Sequence, residues 1–174
     1  TIEFDVKSLV VNPTVKLKEG STLANGKKIS IVDDKEVVTD LTVDSPVELW
    51  IDKEYKIKCD DETVEARVGG STSFKAAADM TSLEVELVTI ANNVTMTVAG
   101  VSLGSAKVVM TNTADSADTH DFASGDTIQL KLNATYEISC TDKEIFAKID
   151  GKSTYEVANP ISTLTVDLTR AEYH

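Results

Sequence analysis

The chain repeats itself at a spacing of 81 residues. The stretch Tyr55 to Leu87 lies over Tyr136 to Leu168 without a gap, and 10 of 33 positions are identical. They include Tyr55/Tyr136, Ile57/Ile138, Cys59/Cys140, Asp61/Asp142, Ala66/Ala147, Gly70/Gly151 and Leu83/Leu164. A fixed internal period marks a repeated structural unit. The shared positions are almost all apolar or turn residues, so they describe a core and its corners. Function must be sought where the copies disagree.

The period divides the 174 residues into two domains, 1–88 and 89–174, each large enough to fold on a modest core. Short segments with period-two alternation recur between Gly, Asn, Asp and Ser turns, as half-buried strands do. In the first copy these are residues 15–17, 27–32, 35–39, 47–51, 55–59, 63–68, 72–76 and 82–88; in the second, 95–98, 107–112, 119–122, 127–132, 136–140, 144–149, 153–157 and 163–168. FKAAADM has helical propensity, but its counterpart YEVANPI carries Pro160, which argues for an extended run into a turn in both copies. The fold class is therefore all-β: two tandem antiparallel β-sandwich domains related by the repeat. A leading strand over residues 1–7, alternating Ile2, Phe4 and Val6, has no counterpart in the second copy on this reading. It docks on an edge of the first domain or pairs with another chain by strand addition.

The net charge is −12, spread over both copies, which argues against a nucleic-acid partner. No apolar run approaches the length of a membrane span, and the N-terminal residues show no signal-peptide pattern. The two cysteines hold equivalent positions, one per copy, so each is expected as a free, inward thiol in its own domain. That usage suits a protein assembled in a reducing compartment.

A second landmark pairs Gly20, Leu23, Gly26 and Lys27 with Gly100, Leu103, Ala106 and Lys107, ahead of an apolar strand. Followed by LWIDKEYKIKC or LKLNATYEISC, this order resembles prealbumin-like and immunoglobulin-like accessory sandwiches, among them collagen-adhesin B-type, carboxypeptidase regulatory-like and PEGA-type modules. The resemblance implies stalks, spacers or binding platforms on cell surfaces and virions. The collagen-adhesin members bring with them an intramolecular Lys–Asn bond, for which Lys16 is the placed lysine. The second copy reads TMTV there, and SLEVELV has no Asn to accept it.

Residues able to carry catalysis are few. His120 lies in a polar, loop-like stretch, and a nucleophilic pair with Cys140 would need that thiol exposed, whereas its alternation with Tyr136 and Ile138 points it inward. Asp115, Asp118, Asp121 and Asp126 offer oxygen ligands, but their spacing fits no EF-hand loop. Asp61 and Asp142 share a hairpin tip, as turn geometry requires. No catalytic residue, metal ligand or cofactor is assigned.

The copies differ most usefully at two aromatic positions. Val47, Leu49 and Ile51 share the phase of Ile128, Leu130 and Leu132 and face the core, which puts Trp50 outside with Glu48, where the second copy has Lys131. Phe146 is likewise off the inward phase of Ile145, Ala147 and Ile149 and stands opposite Glu65. Exposed aromatics are natural contact anchors, so Trp50, Phe146, Ile2, Phe4 and Val6 are the candidate partner-binding residues. The resulting expectation is a non-enzymatic structural and interaction protein on the surface of a larger assembly. The first candidate is a bacteriophage virion component, a head decoration or fibre module contacting capsid or other virion proteins. The alternatives are a bacterial cell-surface spacer or adhesin fragment, and a carbohydrate-binding module using Trp50 or Phe146 as a platform for a glycan.

Overall fold

The computed structural model describes residues 9–172. Compact packing divides the chain between Thr89 and Ile90. The first unit contains β1 (Val10–Val11), β2 (Thr14–Leu17), β3 (Ile29–Val32), β4 (Val38–Leu41), β5 (Leu49–Trp50), β6 (Glu54–Cys59), β7 (Val64–Arg67), β8 (Ser73–Lys75) and β9 (Ser82–Thr89). The second contains β10 (Ala91–Gly100), β11 (Val108–Asn112), β12 (Asp115–Phe122), β13 (Thr127–Lys131), β14 (Thr135–Cys140), β15 (Ile145–Lys148), β16 (Thr154–Glu156) and β17 (Thr163–Arg170). All the regular elements among the described residues are strands, and no helix there is long and apolar enough to cross a membrane.

The second unit is the plainer sandwich. One four-stranded sheet runs β13-β10-β17-β15 and the other β12-β11-β14-β16. Alternation along the strands sends Met96, Met110, Phe122, Leu130, Tyr136, Val166 and Leu168 into the core between them. The first unit places Val15, Ile29, Ile31, Leu49, Tyr55, Leu83 and Val85 in its own core. One of its sheets runs β4-β3-β6-β8. The other is divided into β1-β5 and β2-β9-β7, and Pro13 explains the division. Val94 takes the matching place in β10, in register with Ile128. The Pro13 carbonyl still accepts the Val47 N–H at 3.0 Å, but proline has no N–H to return, so the ladder lapses between β1 and β2.

Antiparallel pairing prevails, with one parallel pair in each unit: β2 with β9, and β10 with β17. These are the first and last long strands of each sandwich. Parallel neighbours need a long crossover, and the intervening strands of the unit supply it.

The registers refine the sequence alignment. Leu83 pairs with Val15 as Leu164 pairs with Met96, keeping the spacing of 81. Ile29 faces Cys59 whereas Val108 faces Cys140, so β3 maps on β11 at a spacing of 79. Lys28, not Lys27, is therefore the partner of Lys107. The loop before β11 is two residues shorter than the one before β3, and the following hairpin is two residues longer: 112–118 between Thr111 and Thr119, against 33–37 between Val32 and Val38. That longer hairpin also extends the expected strand at 119–122 back to Asp115, into a stretch whose polarity suggested a loop. At the N-terminus, the spacing of 81 sets residues 1–8 (TIEFDVKS) against 82–89 (SLEVELVT), the residues of β9. The leading segment thus matches in sequence the end of the first unit, not a segment of the second. Ile2, Phe4 and Val6 themselves lie outside the described residues.

Candidate functional site

Each unit turns a corner on a tyrosine. In the first, the Trp50 N–H donates to the Tyr55 hydroxyl at 2.9 Å; in the second, the Lys131 N–H donates to the Tyr136 hydroxyl at 3.0 Å. A tyrosine hydroxyl returning to the backbone a few residues upstream pins the chain as it crosses between sheets, and the core rings hold it there. Tyr55 stacks on Phe74 with ring centroids 5.7 Å apart, and Tyr136 pairs across β14–β16 with Tyr155.

Around this shared corner the two units diverge. In the second, the corner is filled. The Tyr136 hydroxyl donates to Asp118 Oδ2 at 2.8 Å, Asn112 Nδ2 donates to the same oxygen at 3.0 Å, and a ring nitrogen of His120 lies 2.9 Å from Asp118 Oδ1. The Lys131 ammonium stands 3.5 Å from both Asp118 and Asp115. Burial pushes the Asp118 carboxyl upward, but the bonds from Asn112, Tyr136 and His120 and the Lys131 charge outweigh it and hold the carboxyl below its usual value. Tyr136 is pushed up to about 12, chiefly by burial and with the Asp118 carboxylate adding to it. A carboxylate held anionic and a hydroxyl held protonated form a fixed polar clasp.

In the first unit the matching positions leave a groove of about 320 Å³, bounded by Asp33, Val37 and Thr39 on one side and Glu48, Trp50 and Tyr55 on the other. By the strand registers Val37 stands where Asp118 does, Thr39 where His120 does, and Trp50 where Lys131 does. The carboxylate that would close the groove is absent because an exposed valine replaces it. Trp50 is 50% exposed beside it, and Val37 and Val38 are each 56% exposed. Asp33 is committed elsewhere: its carboxylate accepts the Val37 and Lys35 N–H groups, both at 2.9 Å, and the Lys53 ammonium at 3.0 Å. These bonds, the Val37 N–H first, hold its carboxyl below the usual range, and Asp33 in turn raises Lys53.

The other sequence candidates find definite places. Phe146 is 51% exposed on β15, beside a groove of about 260 Å³ lined in part by Cys140, Lys143 and Lys148. Cys59 and Cys140 are free thiols, half-buried rather than fully inward, each packed on the core of its own unit. His120 pairs with Met110 on β11 and Cys140 with Val108, so β11 separates them and they form no nucleophilic pair. Lys16 is exposed, its ammonium 2.6 Å from Asp44, in an ion pair and not a cross-link. Asp61 accepts the Thr63 N–H at 3.0 Å and Asp142 the Glu144 N–H at 2.9 Å, both as turn residues. Among the described residues no cluster of acidic, His or Cys side chains gathers in a metal-holding arrangement. Sequence reasoning found Trp50 but missed the roles of Tyr55, Val37 and the Asp118 clasp; the available signal was a valine against an aspartate at the repeat spacing of 81.

The fold and site define an all-β protein of two sandwich units, one with an open corner groove and one with the corner closed. No family model matches the chain, and no curated protein matches it. Among solved structures it is similar to the major pilin protein (T-13) of Streptococcus pyogenes, at 8% identity over 94% of this chain and 96% of that one, with a TM-score of 0.24.

Proposed function

We propose that this chain is a non-enzymatic structural and interaction protein of a larger surface assembly, and that the Trp50 groove of its first unit is a contact for a protein partner. One observation carries the reading: a shared tyrosine corner is closed by Asp118 in one unit and left open beside a half-exposed tryptophan in the other. A large aromatic held at a rigid corner offers contact area at little entropic cost. Phe146, exposed on β15, is a second anchor of the same kind.

The assembly we propose is the outer face of a bacteriophage virion, with a bacterial cell surface as the alternative. Free cysteines half-buried in separate cores favour the first, since virion proteins fold before release, in a reducing compartment.

The test is acrylamide quenching of Trp50, the only tryptophan in the sequence. The free chain should be readily quenched, and the assembled surface from which it is recovered should protect the indole. Protection already present in the free chain overturns the reading of an open groove.

A further inference from the structure

We infer that the first unit's corner groove takes a lysine or arginine side chain of the partner, its cation lying over Trp50 and reaching Glu48, with a partner backbone carbonyl accepting the Tyr55 hydroxyl proton. The inference rests on the proposed contact role and names the chemistry of what fills it.

The Tyr55 side supplies the first half. A phenolic hydroxyl is both donor and acceptor. Tyr55 accepts the Trp50 N–H at 2.9 Å, and among the described residues its own proton is given to no acceptor. In the second unit the same proton goes to Asp118 at 2.8 Å. The open corner therefore has a place for an oxygen acceptor. A second carboxylate is a poor occupant, because Asp33 and Glu48 already line the groove and like charges at that range repel. A neutral carbonyl meets the need.

The Trp50 side supplies the second half. Glu48 and Trp50 are two residues apart on one face of the chain and both line the groove. Glu48 is exposed and has no ion pair among the described residues. The neighbouring ammonium, Lys53, is held by Asp33 at 3.0 Å and Asp34 at 3.3 Å. A cation over the indole face and against a carboxylate gains from both.

The second unit shows this complementarity satisfied from within. There Lys131, in place of Trp50, brings its ammonium to 3.5 Å from Asp115 and Asp118. One corner carries its own cation; the other presents a platform and an unpaired carboxylate. A glycan would use the tryptophan but not the charge.

Fluorescence of Trp50 reads the groove directly. The full chain is titrated with a decapeptide of alternating Arg and Gly, with the same peptide carrying Glu for Arg, and with chitohexaose. The expected result is a saturable shift with the Arg peptide alone. Glu48→Gln should weaken it about fivefold, the weight of one exposed ion pair. Glu137→Gln, which neutralises an exposed carboxylate that does not line the groove, should leave it within about twofold, as expected of a charge outside the contact under salt screening. Equal weakening by both variants means diffuse attraction to an acidic protein and overturns the inference, as does a shift with chitohexaose or the Glu peptide in place of the Arg peptide. Trp50 quenched by acrylamide yet blind to the Arg peptide overturns the ligand chemistry alone; Trp50 shielded from acrylamide in the free chain overturns the contact role as well.

Discussion

The Tyr136 hydroxyl donates to Asp118 Oδ2 over 2.8 Å, and through that bond the edge strand β12 is tied to the corner between β13 and β14. Tyr55 makes the same backbone bond without the second one. Two substitutions that remove the same atom should therefore differ in cost. Tyr136→Phe loses a neutral bond and a bond to a charged group, about 2–3 kcal/mol, whereas Tyr55→Phe loses the neutral one, about 1 kcal/mol. Urea unfolding followed by circular dichroism and by Trp50 emission checks this, with the tryptophan reporting the first unit. Equal losses would mean that the Asp118 bond adds nothing.

The same clasp sets the pH response of the second unit. Asp118 titrates lower when folded than the ~3.9 of a free side chain, so its contribution is complete above that range. It is lost as the pH falls through the depressed folded value, because the unfolded chain then binds the additional proton. Tyr136 behaves oppositely. Its folded value is pushed up to about 12, so its contribution holds below the unfolded value of about 10 and disappears as the pH rises through the folded one. Urea midpoints across pH should fall at both extremes. Asp118→Asn should flatten the acid limb and Tyr136→Phe the alkaline limb; an unchanged acid limb in Asp118→Asn would remove Asp118 as its cause.

Gly100 ends β10 in the left-handed region, at φ 96°, against the Leu168 backbone. A Cβ there would fall on the Leu168 carbonyl oxygen, so one of the two parallel strands must shift. Gly100→Ala should cost at least about 2 kcal/mol, combining strain and a backbone clash. Gly125 has a similar φ of 93° but open space around it, so Gly125→Ala should cost only the conformational strain, about 1 kcal/mol. Thermal unfolding of the two variants separates the terms.

Asp33 depends on Lys53 as well as on the hairpin backbone. Carboxyl resonances followed by NMR through an acid titration should show Asp33 ionising below the ordinary range in the parent chain. Lys53→Met should bring it part of the way back, since the Val37 and Lys35 N–H bonds remain. Asp118, in the other unit, should not move.

Much of the fold was legible because apolar phase is a local property. Leu49 and Leu130 alternate with Trp50 and Lys131, and both leucines are fully buried. Cys59 and Cys140 were placed on the right strands but overestimated in burial, since they sit near strand ends where the core thins. Of β12, the last four residues were legible as a strand and the polar stretch before them was not, because an edge strand with one hydrated face carries little apolar signal. The parallel pairs and the lapse at Pro13 depend on strands far apart in the chain, which periodicity does not register.

The sequence by itself determined the repeat, most of the strands and the inward phase of those that carry Leu49, Leu130, Ala66 and Ala147, and it singled out Trp50 as a residue one copy does not share. Those follow from local chemistry, since alternation and turn residues act within a few positions. Only the tertiary structure decided that Asp118 accepts a hydrogen bond from the Tyr136 hydroxyl while Val37, at the matching corner, offers the Tyr55 hydroxyl no acceptor. Val37 and Asp118 stand at the repeat spacing of 81, but their place beside Tyr55 and Tyr136 arises only once strands far apart in the chain are paired.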